Sequence, residues 1–360
     1  MGSTSTQLPQ PWIESPCIYS APLSRAAGCR IHLKLDNTQP SGSFKSRGVG
    51  NFMRRAVQSS CSSSRQQQQD VHFFCSSGGN AGLACITAAN TFHLAATIVV
   101  PVSTLPHMVA KLRDLGAEVV QFGANWAMAD AQLRETCMPE FERTHPGAKA
   151  VYVPPFDHQD VWDGAETLVD ELRKQMGGET GEDAREQQKI DGIALCVGGG
   201  GLMCGVMQGV QKLEAAGYGT VKVLAVEAYG GESLNASVQA GELVTLPAIT
   251  TISTSLGAVR VAEKAFEWTK RAGDNLVSAV VTDKESVEAI ARFVDDAKML
   301  VESACGATIA TVYNGDLRKY LGAGLSDEDW AAKNIVIVVC GGSNISLAML
   351  EKYKEQFGIS

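Results

Sequence analysis

Short apolar segments alternate with helix-length amphipathic segments along most of this chain. Because the short segments are apolar at almost every position, both faces of each predicted strand should be buried, as in parallel sheets that helices cover. The sequence therefore predicts an α/β fold with open, mainly parallel, doubly wound sheets and helices on both faces. The predicted strands are VHFFC (71–75), ATIVVP (96–101), AEVVQFG (117–123), IALCV (193–197), VKVLAVE (221–227), NLVSAVV (275–281) and NIVIVVC (334–340).

The length of 360 residues favours two domains over one. Hydrophobic residues make up 45% of the chain and charged residues 19%, which is typical of a soluble globular protein with a large core. The net charge of −8 argues against nucleic acid or an anionic membrane as a partner, because both require basic patches. No apolar run is long enough to cross a bilayer, and the N-terminal segment lacks the pattern of a targeting peptide.

The ten cysteines are scattered, with no C-x-x-C pair and no cysteine and histidine spacing typical of a zinc site. This distribution argues against structural zinc and against a disulfide framework, and many free thiols indicate a cytoplasmic protein. Two polar segments, 59–70 and 177–189, contain too few apolar residues to pack into a core and are predicted to be surface loops.

Three predicted strands end in turns of unusual composition, at the edge where ligands bind in open α/β sheets. These turns are CSSGGNAG (75–82), VGGGGLMCG (197–205) and CGGSN (340–344), and each is predicted to open a helix. The four consecutive glycines 198–201 would let several backbone N–H groups converge at a helix N-terminus, which is an anion site suited to a phosphate. A nicotinamide dehydrogenase is the alternative, but the G-x-G-x-x-G spacing fails because Cys204 stands at the third glycine position.

Lys45 lies in SGSFKSRG (41–48), directly after an aromatic residue and within a serine- and glycine-rich turn. Taken alone, it could be an ordinary solvated surface lysine. Pyridoxal phosphate, however, needs a phosphate cradle, a Schiff-base lysine and a partner for its ring nitrogen. The glycine turn, Lys45 and the polar turns at two further strand ends are suited to supply these parts, so the combination predicts this cofactor.

The segment DNTQPSGSFKSRGV (36–49) resembles the pyridoxal phosphate attachment segment of the serine/threonine dehydratases, within the tryptophan synthase β family of fold type II. CSSGGNAG, VGGGGL and CGGSN follow in the order of that family, so the resemblance covers most of the chain from about residue 15. It implies a small domain spanning 39–153 and a large domain made of 1–38 and 154–360. Because the sequence ends about sixteen residues after CGGSN, we expect no C-terminal regulatory domain and a catabolic role.

The resemblance also implies roles for individual residues. Lys45 would attach the cofactor covalently and then act as the base at the substrate Cα, and Phe44 would lie against one face of the cofactor ring. Asn80 would hydrogen-bond the ring hydroxyl, and Cys340 would contact the ring nitrogen. The substrate carboxylate would be bound by Ser77, Gly78, Gly79, Asn80 and Ala81, and the phosphate by Gly198, Gly199, Gly200, Gly201 and Leu202.

Two positions favour β-elimination of L-serine, and of L-threonine, to pyruvate or 2-oxobutanoate and ammonia. A thiol such as Cys340 cannot hold the ring nitrogen protonated as a carboxylate would, which disfavours a long-lived carbanion. Gly78 stands where serine racemases of this fold have the serine that serves as base on the opposite face of the ring. The alternatives are serine racemase, threonine synthase, a cysteine synthase-like enzyme and a non-catalytic module that binds a phosphate ligand.

The segments VEAYGGES and SLGA resemble those that surround a monovalent cation in liver-type serine dehydratases. Carbonyl groups with one carboxylate suit a hard, weakly charged cation, so the resemblance implies a potassium site. Glu227 would otherwise be a helix-capping residue. The implied ligands are Gly198, Glu227, Gly231, Ser233, Leu256 and Ala258. A homodimer that acts on a small-molecule amino acid is implied by the resemblance alone.

Overall fold

The structure, a computed structural model, describes residues 8–61, 70–177 and 189–360. Most of the two predicted surface loops, 59–70 and 177–189, lies outside these residues. No helix in the described ranges combines the length and the apolar character that crossing a membrane requires.

The chain divides into two compact units, and one of the three boundaries along the chain falls between Phe44 and Lys45. The small unit consists of Met1–Ile13 and Lys45–Gly164, and the large unit consists of Glu14–Phe44 and Ala165–Ser360. The domain ranges expected from the resemblance, 39–153 against the remainder, stay a prediction.

Ten strands run through the described residues and form one sheet in each unit. All seven predicted strands are present, with ends shifted by two residues at most. The strands are β1 (Cys17–Tyr19), β2 (Arg30–Leu35), β3 (Val71–Cys75), β4 (Ala95–Val100), β5 (Glu118–Gln121), β6 (Lys149–Tyr152), β7 (Gly192–Cys196), β8 (Lys222–Ala228), β9 (Leu276–Val281) and β10 (Asn334–Val339).

Helices connect most of these strands. They are α1 (Ala21–Ala27), α2 (Lys45–Cys61), α3 (Asn80–Thr91), α4 (Pro106–Asp114), α5 (Trp126–Gln132), α6 (Met138–Thr144), α7 (Gln159–Gly177), α8 (Gly201–Ala215), α9 (Ser233–Ala240), α10 (Glu263–Ala272), α11 (Asp283–Ala297), α12 (Ser303–Tyr313), α13 (Asp316–Leu321), α14 (Asp327–Ala331) and α15 (Leu347–Phe357). A π-helical segment, Leu133–Cys137, joins α5 to α6, and short 3-10 turns lie at Asp36–Thr38, Thr254–Leu256 and Gly273–Asn275.

The small unit contains a fully parallel sheet in the order β5-β4-β3-β6. Successive residues of a strand point to opposite faces, and β3 shows this directly. Phe73 packs into a core with residues of α2 and α3, whereas Phe74 packs into a second core with residues of α5 and the π-helical segment. Helices therefore cover both faces of this sheet, as the sequence predicts.

The large unit contains a six-stranded sheet in the order β1-β2-β10-β7-β8-β9. Only the pairing of β1 with β2 is antiparallel in this sheet, so it is mainly parallel. Every residue of β10 is buried, as is expected of a strand that has neighbours on both sides and helices on both faces. The predicted fold class is confirmed in both units.

The turn after β10 differs from its prediction. CGGSN does not open the last helix directly, because α15 begins at Leu347, where the Ser346 side chain accepts a hydrogen bond from the Met349 N–H group at 3.2 Å. Gly341 and Gly342 have φ angles of +84° and +117°, which residues with side chains rarely adopt. The chain therefore turns sharply at these two glycines before it can enter a helix.

Candidate active site

Lys45 is the first residue of α2 in the small unit and is half-buried. Its Nζ donates a hydrogen bond to the carbonyl oxygen of Pro155 at 2.6 Å. Helix α2 packs closely on the chain that follows Pro155, because a Cβ on Gly48 would lie 2.8 Å from the Val161 carbonyl oxygen and one on Gly164 would collide with the Arg47 carbonyl. The amine is thus held at a defined place in the small unit.

The loop Ser77–Ala81 follows β3 and leads into α3. The first N–H groups of any helix lack an intrahelical acceptor, and side chains with oxygen atoms usually cap them. The N-cap of α3 is Gly79, which has no side chain to accept from them. Its own N–H donates to the Ser77 hydroxyl at 3.3 Å. An anion such as a carboxylate therefore fits the start of α3.

Gly78 packs against the loop that follows β4. A Cβ at this position would lie 2.7 Å from Cγ2 of Thr104 and 3.2 Å from Cγ1 of Val100. A side chain on residue 78 therefore has no room unless Thr104 moves. The role of Gly78 in the reaction stays a prediction.

The tetraglycine loop of the large unit resembles the start of α3, because here too a glycine is the N-cap of the helix that follows. Gly200 is the N-cap of α8, with φ of +89° and no side-chain cap. The Gly199 carbonyl oxygen accepts from the Ala262 N–H at 3.0 Å, which fixes the loop against the segment that precedes α10. The first N–H groups of α8, those of Gly201 and Leu202 among them, suit an external acceptor. A phosphate satisfies this requirement, so the loop fits the phosphate of the predicted cofactor.

Phe44 and Cys340 lie side by side in the large unit. The Phe44 N–H donates to the Cys340 carbonyl oxygen at 3.0 Å, and the Gly342 N–H donates to the Gly42 carbonyl oxygen at 3.0 Å. This short antiparallel pairing fixes the backbone one residue before Lys45 beside the end of β10.

The Cys340 thiol is buried and lies 3.5 Å from Sγ of Cys196. Hydrogen bonds with Cys196 and Cys305, together with burial, raise the pKa of the Cys340 thiol well above its ordinary value. It therefore stays a neutral S–H group. A neutral thiol fits beside an unprotonated pyridine nitrogen, because it can donate a weak hydrogen bond and carries no charge to hold a proton on the ring.

Glu302 is a buried acid beside the same turn that was not among the predicted site residues. Its carboxylate occupies the space where a Cβ of Gly342 would stand, and it accepts from the Asn344 N–H at 3.1 Å. Gly342 is therefore required for two reasons, its positive φ and this contact. No local pattern marks Glu302, because its partners are about forty residues away.

Glu227, the predicted cation ligand, lies in the large unit and is fully buried. Its carboxylate accepts from the N–H groups of Leu234 and Asn235, at 2.8 and 2.7 Å, so it caps helix α9. Burial raises the pKa of this carboxyl to about 8, although the two hydrogen bonds lower it. The structure thus shows the helix-capping role of Glu227, and the bound cation stays a prediction.

The other predicted cation ligands lie close to one another in the large unit. A Cβ on Gly198 would lie 3.1 Å from Cα of Leu256, and one on Gly231 would lie 3.9 Å from the Leu256 carbonyl oxygen. The buried Ser233 hydroxyl has no hydrogen-bond partner among the described residues. Within those residues no group of three or more His, Cys, Asp or Glu side chains could hold a metal, so a cation here would depend on carbonyl groups.

The predicted site residues thus form two sets. Lys45 and the loop Ser77–Ala81 lie in the small unit, and the charge of Lys45 acts on the Cys75 thiol, which directly precedes that loop. The tetraglycine loop, Phe44 and Cys340 lie in the large unit. Two α/β units with a lysine and glycine-capped helix starts are what the resemblance to pyridoxal phosphate enzymes of fold type II implies.

Comparisons with known proteins support this assignment. The family model "Pyridoxal-phosphate dependent enzyme" matches residues 9–341, so the chain belongs to this family. It is 39% identical to the human protein named L-serine dehydratase/L-threonine deaminase over 348 residues, 97% of this chain and 96% of the human one. The bovine protein of that name is 40% identical over 347 residues, 96% of each chain. The crystal structure of a fungal L-serine ammonia-lyase from Rhizomucor miehei superposes with a TM-score of 0.80 at 34% identity, covering 96% of this chain and 99% of that one.

The family resemblance, the fold type and the cofactor predicted from the four motifs are therefore confirmed. The roles of individual residues stay predictions.

Proposed function

We propose that the protein catalyses the dehydration and deamination of L-serine, and of L-threonine, with pyridoxal phosphate as cofactor. The products are pyruvate or 2-oxobutanoate, and ammonia. The proposal is carried by the half-buried amine of Lys45 in the same unit as the glycine-capped loop Ser77–Ala81. The glycine at position 78 supports elimination over racemisation, because this residue has no side chain that could serve as a base. The names of the human, bovine and fungal relatives agree with this reaction.

In this proposal the loop Ser77–Ala81 binds the substrate carboxylate through the start of α3 and the Ser77 hydroxyl. Lys45 removes the proton from the substrate Cα, and the Pro155 carbonyl stabilises the resulting ammonium by accepting one of its N–H bonds. The bound cofactor supplies an electron sink for the pair left at Cα. The Cβ–O bond then breaks, and Lys45 returns its proton to the departing hydroxyl, which leaves as water. Hydrolysis of the remaining enamine consumes one water and yields the ketoacid and ammonia.

In the large unit, Gly198, Gly199, Gly200, Gly201 and Leu202 would hold the phosphate. The neutral Cys340 thiol would contact the ring nitrogen, Phe44 one face of the ring, and Asn80 of the small unit the ring hydroxyl. A weak sink at the ring nitrogen shortens the lifetime of negative charge at Cα, which favours prompt loss of the β-hydroxyl.

The first experiment measures ketoacid and ammonia released by the purified holoenzyme from L-serine and from L-threonine. We expect equimolar pyruvate and ammonia from L-serine, with no D-serine and no thiol adduct. D-serine as the main product would instead support a racemase. A visible cofactor band without turnover of either amino acid would support the non-catalytic module.

We also propose a monovalent cation at Glu227, Ser233 and the carbonyl groups of Gly198, Gly231, Leu256 and Ala258. Potassium is expected to raise the melting temperature of the holoenzyme above that in lithium or tetramethylammonium, because a bound ion stabilises the folded state by mass action. Glu227→Gln keeps an oxygen that can cap α9 but removes the charge, so it should abolish the potassium-dependent rise. Glu288→Gln, which makes the same change at an exposed position of α11 that is not among the proposed ligands, is the control. Equal potassium effects in both variants would exclude this site.

We also propose that the protein forms a homodimer and that it is cytoplasmic. Sedimentation velocity at micromolar concentration should give the mass of two chains, and a single-chain mass would contradict it. The substrate is a small amino acid, so neither nucleic acid nor a membrane is expected as a partner.

A further inference from the structure

Asp130 lies on α5 and is not one of the predicted site residues. Its carboxylate contacts three other side chains of the small unit. Oδ1 accepts from the Ser76 hydroxyl at 2.6 Å and from the Tyr152 hydroxyl at 2.9 Å. Oδ2 pairs with Nε of Arg134 at 2.9 Å, and the Arg134 guanidinium stacks 3.7 Å above the Tyr152 ring. Burial raises the pKa of Tyr152 to about 12, so its hydroxyl remains a donor. Only 14% of the Asp130 side chain is exposed.

Each of the two hydroxyl donors lies next to a segment of the proposed active site. Ser76 is the first residue after β3 and directly precedes the loop proposed to bind the substrate carboxylate. Tyr152 ends β6, three residues before Pro155, whose carbonyl oxygen accepts from Lys45 Nζ. A backbone hydrogen bond also joins the two segments, because the Val153 N–H donates to the Phe74 carbonyl oxygen at 2.8 Å. One carboxylate thus fixes both segments.

We propose that Asp130 is a positioning residue, which sets the substrate loop through Ser76 and the carbonyl that holds Lys45 through Tyr152. The inference rests on the proposed function. Asp130 touches neither substrate nor cofactor in this assignment, so it acts through the two hydroxyl groups alone. Charge-assisted hydrogen bonds to a shielded carboxylate are short and directional, which suits them to this task.

The large unit contains a matched control with the same three residue types. The Tyr313 hydroxyl donates to Oδ2 of Asp296 at 2.9 Å, Nε of Arg292 lies 3.4 Å from the same oxygen, and the Arg292 guanidinium stacks 4.1 Å above the Tyr313 ring. This trio joins α11 to α12 and adjoins none of the proposed site segments. Removal of either aspartate leaves a tyrosine and an arginine without their carboxylate, and removal of Asp130 also frees the Ser76 hydroxyl, which is one of the two contacts under test.

The test compares Asp130→Ala with Asp296→Ala in the holoenzyme, below the melting temperature of both. A displacement of about 1 Å can cost roughly a hundredfold in rate, so kcat/KM for L-serine should fall by roughly this factor in Asp130→Ala, chiefly through KM. Asp296→Ala should stay within about twofold of wild type. Asp130→Asn should recover most of the loss, because its amide oxygen still accepts from a hydroxyl. Amide hydrogen exchange of residues 76–82 and of Tyr152, Val153 and Phe156 should quicken in Asp130→Ala alone.

The single-hydroxyl variants keep the test decisive if Asp130→Ala does not fold. Ser76→Ala should raise KM, Tyr152→Phe should lower kcat, and Tyr313→Phe should change neither. Equal kcat/KM and equal exchange in the Asp130 and Asp296 variants would overturn the inference. A wild-type holoenzyme that released no ketoacid would refute the proposed function instead, and the exchange comparison would still decide whether Asp130 holds the two segments.

Discussion

Lys45→Ala is expected to lower kcat for L-serine by more than about a thousandfold, because it removes both the covalent attachment and the base at Cα. The amine is half-buried, and the Pro155 carbonyl holds it at a defined place in the small unit. The loss should appear in kcat, with little change in the thermal stability of the apoenzyme, since Lys45 begins a helix and its side chain is only half-buried.

The measurement combines ketoacid release with borohydride reduction and peptide mapping. In the wild type, reduction should add the mass of the cofactor to the peptide that contains Lys45, and the variant should carry no such adduct. Lys352→Ala, an exposed position on α15, is the control and should keep both activity and adduct. An adduct on any other lysine of the wild type would refute the assignment of Lys45.

The strands that the sequence predicted are those with continuous apolar runs, and the ones it missed show why this signal has limits. β2 contains His32 and Lys34, which interrupt the apolar pattern, yet both side chains are buried. Lys34 can be buried because its Nζ donates to Glu171 and to the carbonyl oxygen of Ser15, each at 2.6 Å. A pairing across more than a hundred residues has no local signature, so β2 could not be recognised from its own composition.

The same distinction separates the predicted part of the site from the rest. The phosphate loop and the substrate loop are contiguous segments, and the predicted role of each depends on glycines within the segment itself. Their local sequence is therefore sufficient to predict them. Pro155, Glu302 and Asp130 act through partners far along the chain: Pro155 contributes only a backbone carbonyl, and the two acids resemble ordinary surface acids in composition. Tertiary contacts alone reveal them.

Gly200→Ala is expected to weaken cofactor binding roughly a hundredfold, which corresponds to about 2.8 kcal/mol at 1.4 kcal/mol per tenfold change. Two effects act at this position. The φ of +89° disfavours any residue with a Cβ, and that Cβ would lie 2.5 Å from the Cβ of Ala265, so the loop has to shift. A shift at the N-cap of α8 moves the N–H groups proposed to hold the phosphate, and the dipole of the helix no longer points at it.

Gly217→Ala separates the two effects, since Gly217 lies just beyond the other end of α8 with a similar φ of +82° and open space where its Cβ would stand. It should suffer the backbone strain, about 1–3 kcal/mol of unfolding free energy, and nothing more. Titration of each apoenzyme with pyridoxal phosphate, followed by the absorbance of the lysine-bound cofactor, gives the two affinities, and denaturant unfolding gives the two stabilities. Equal affinities in the two variants would mean that the phosphate is bound elsewhere, since Gly200→Ala alone disturbs the tetraglycine loop.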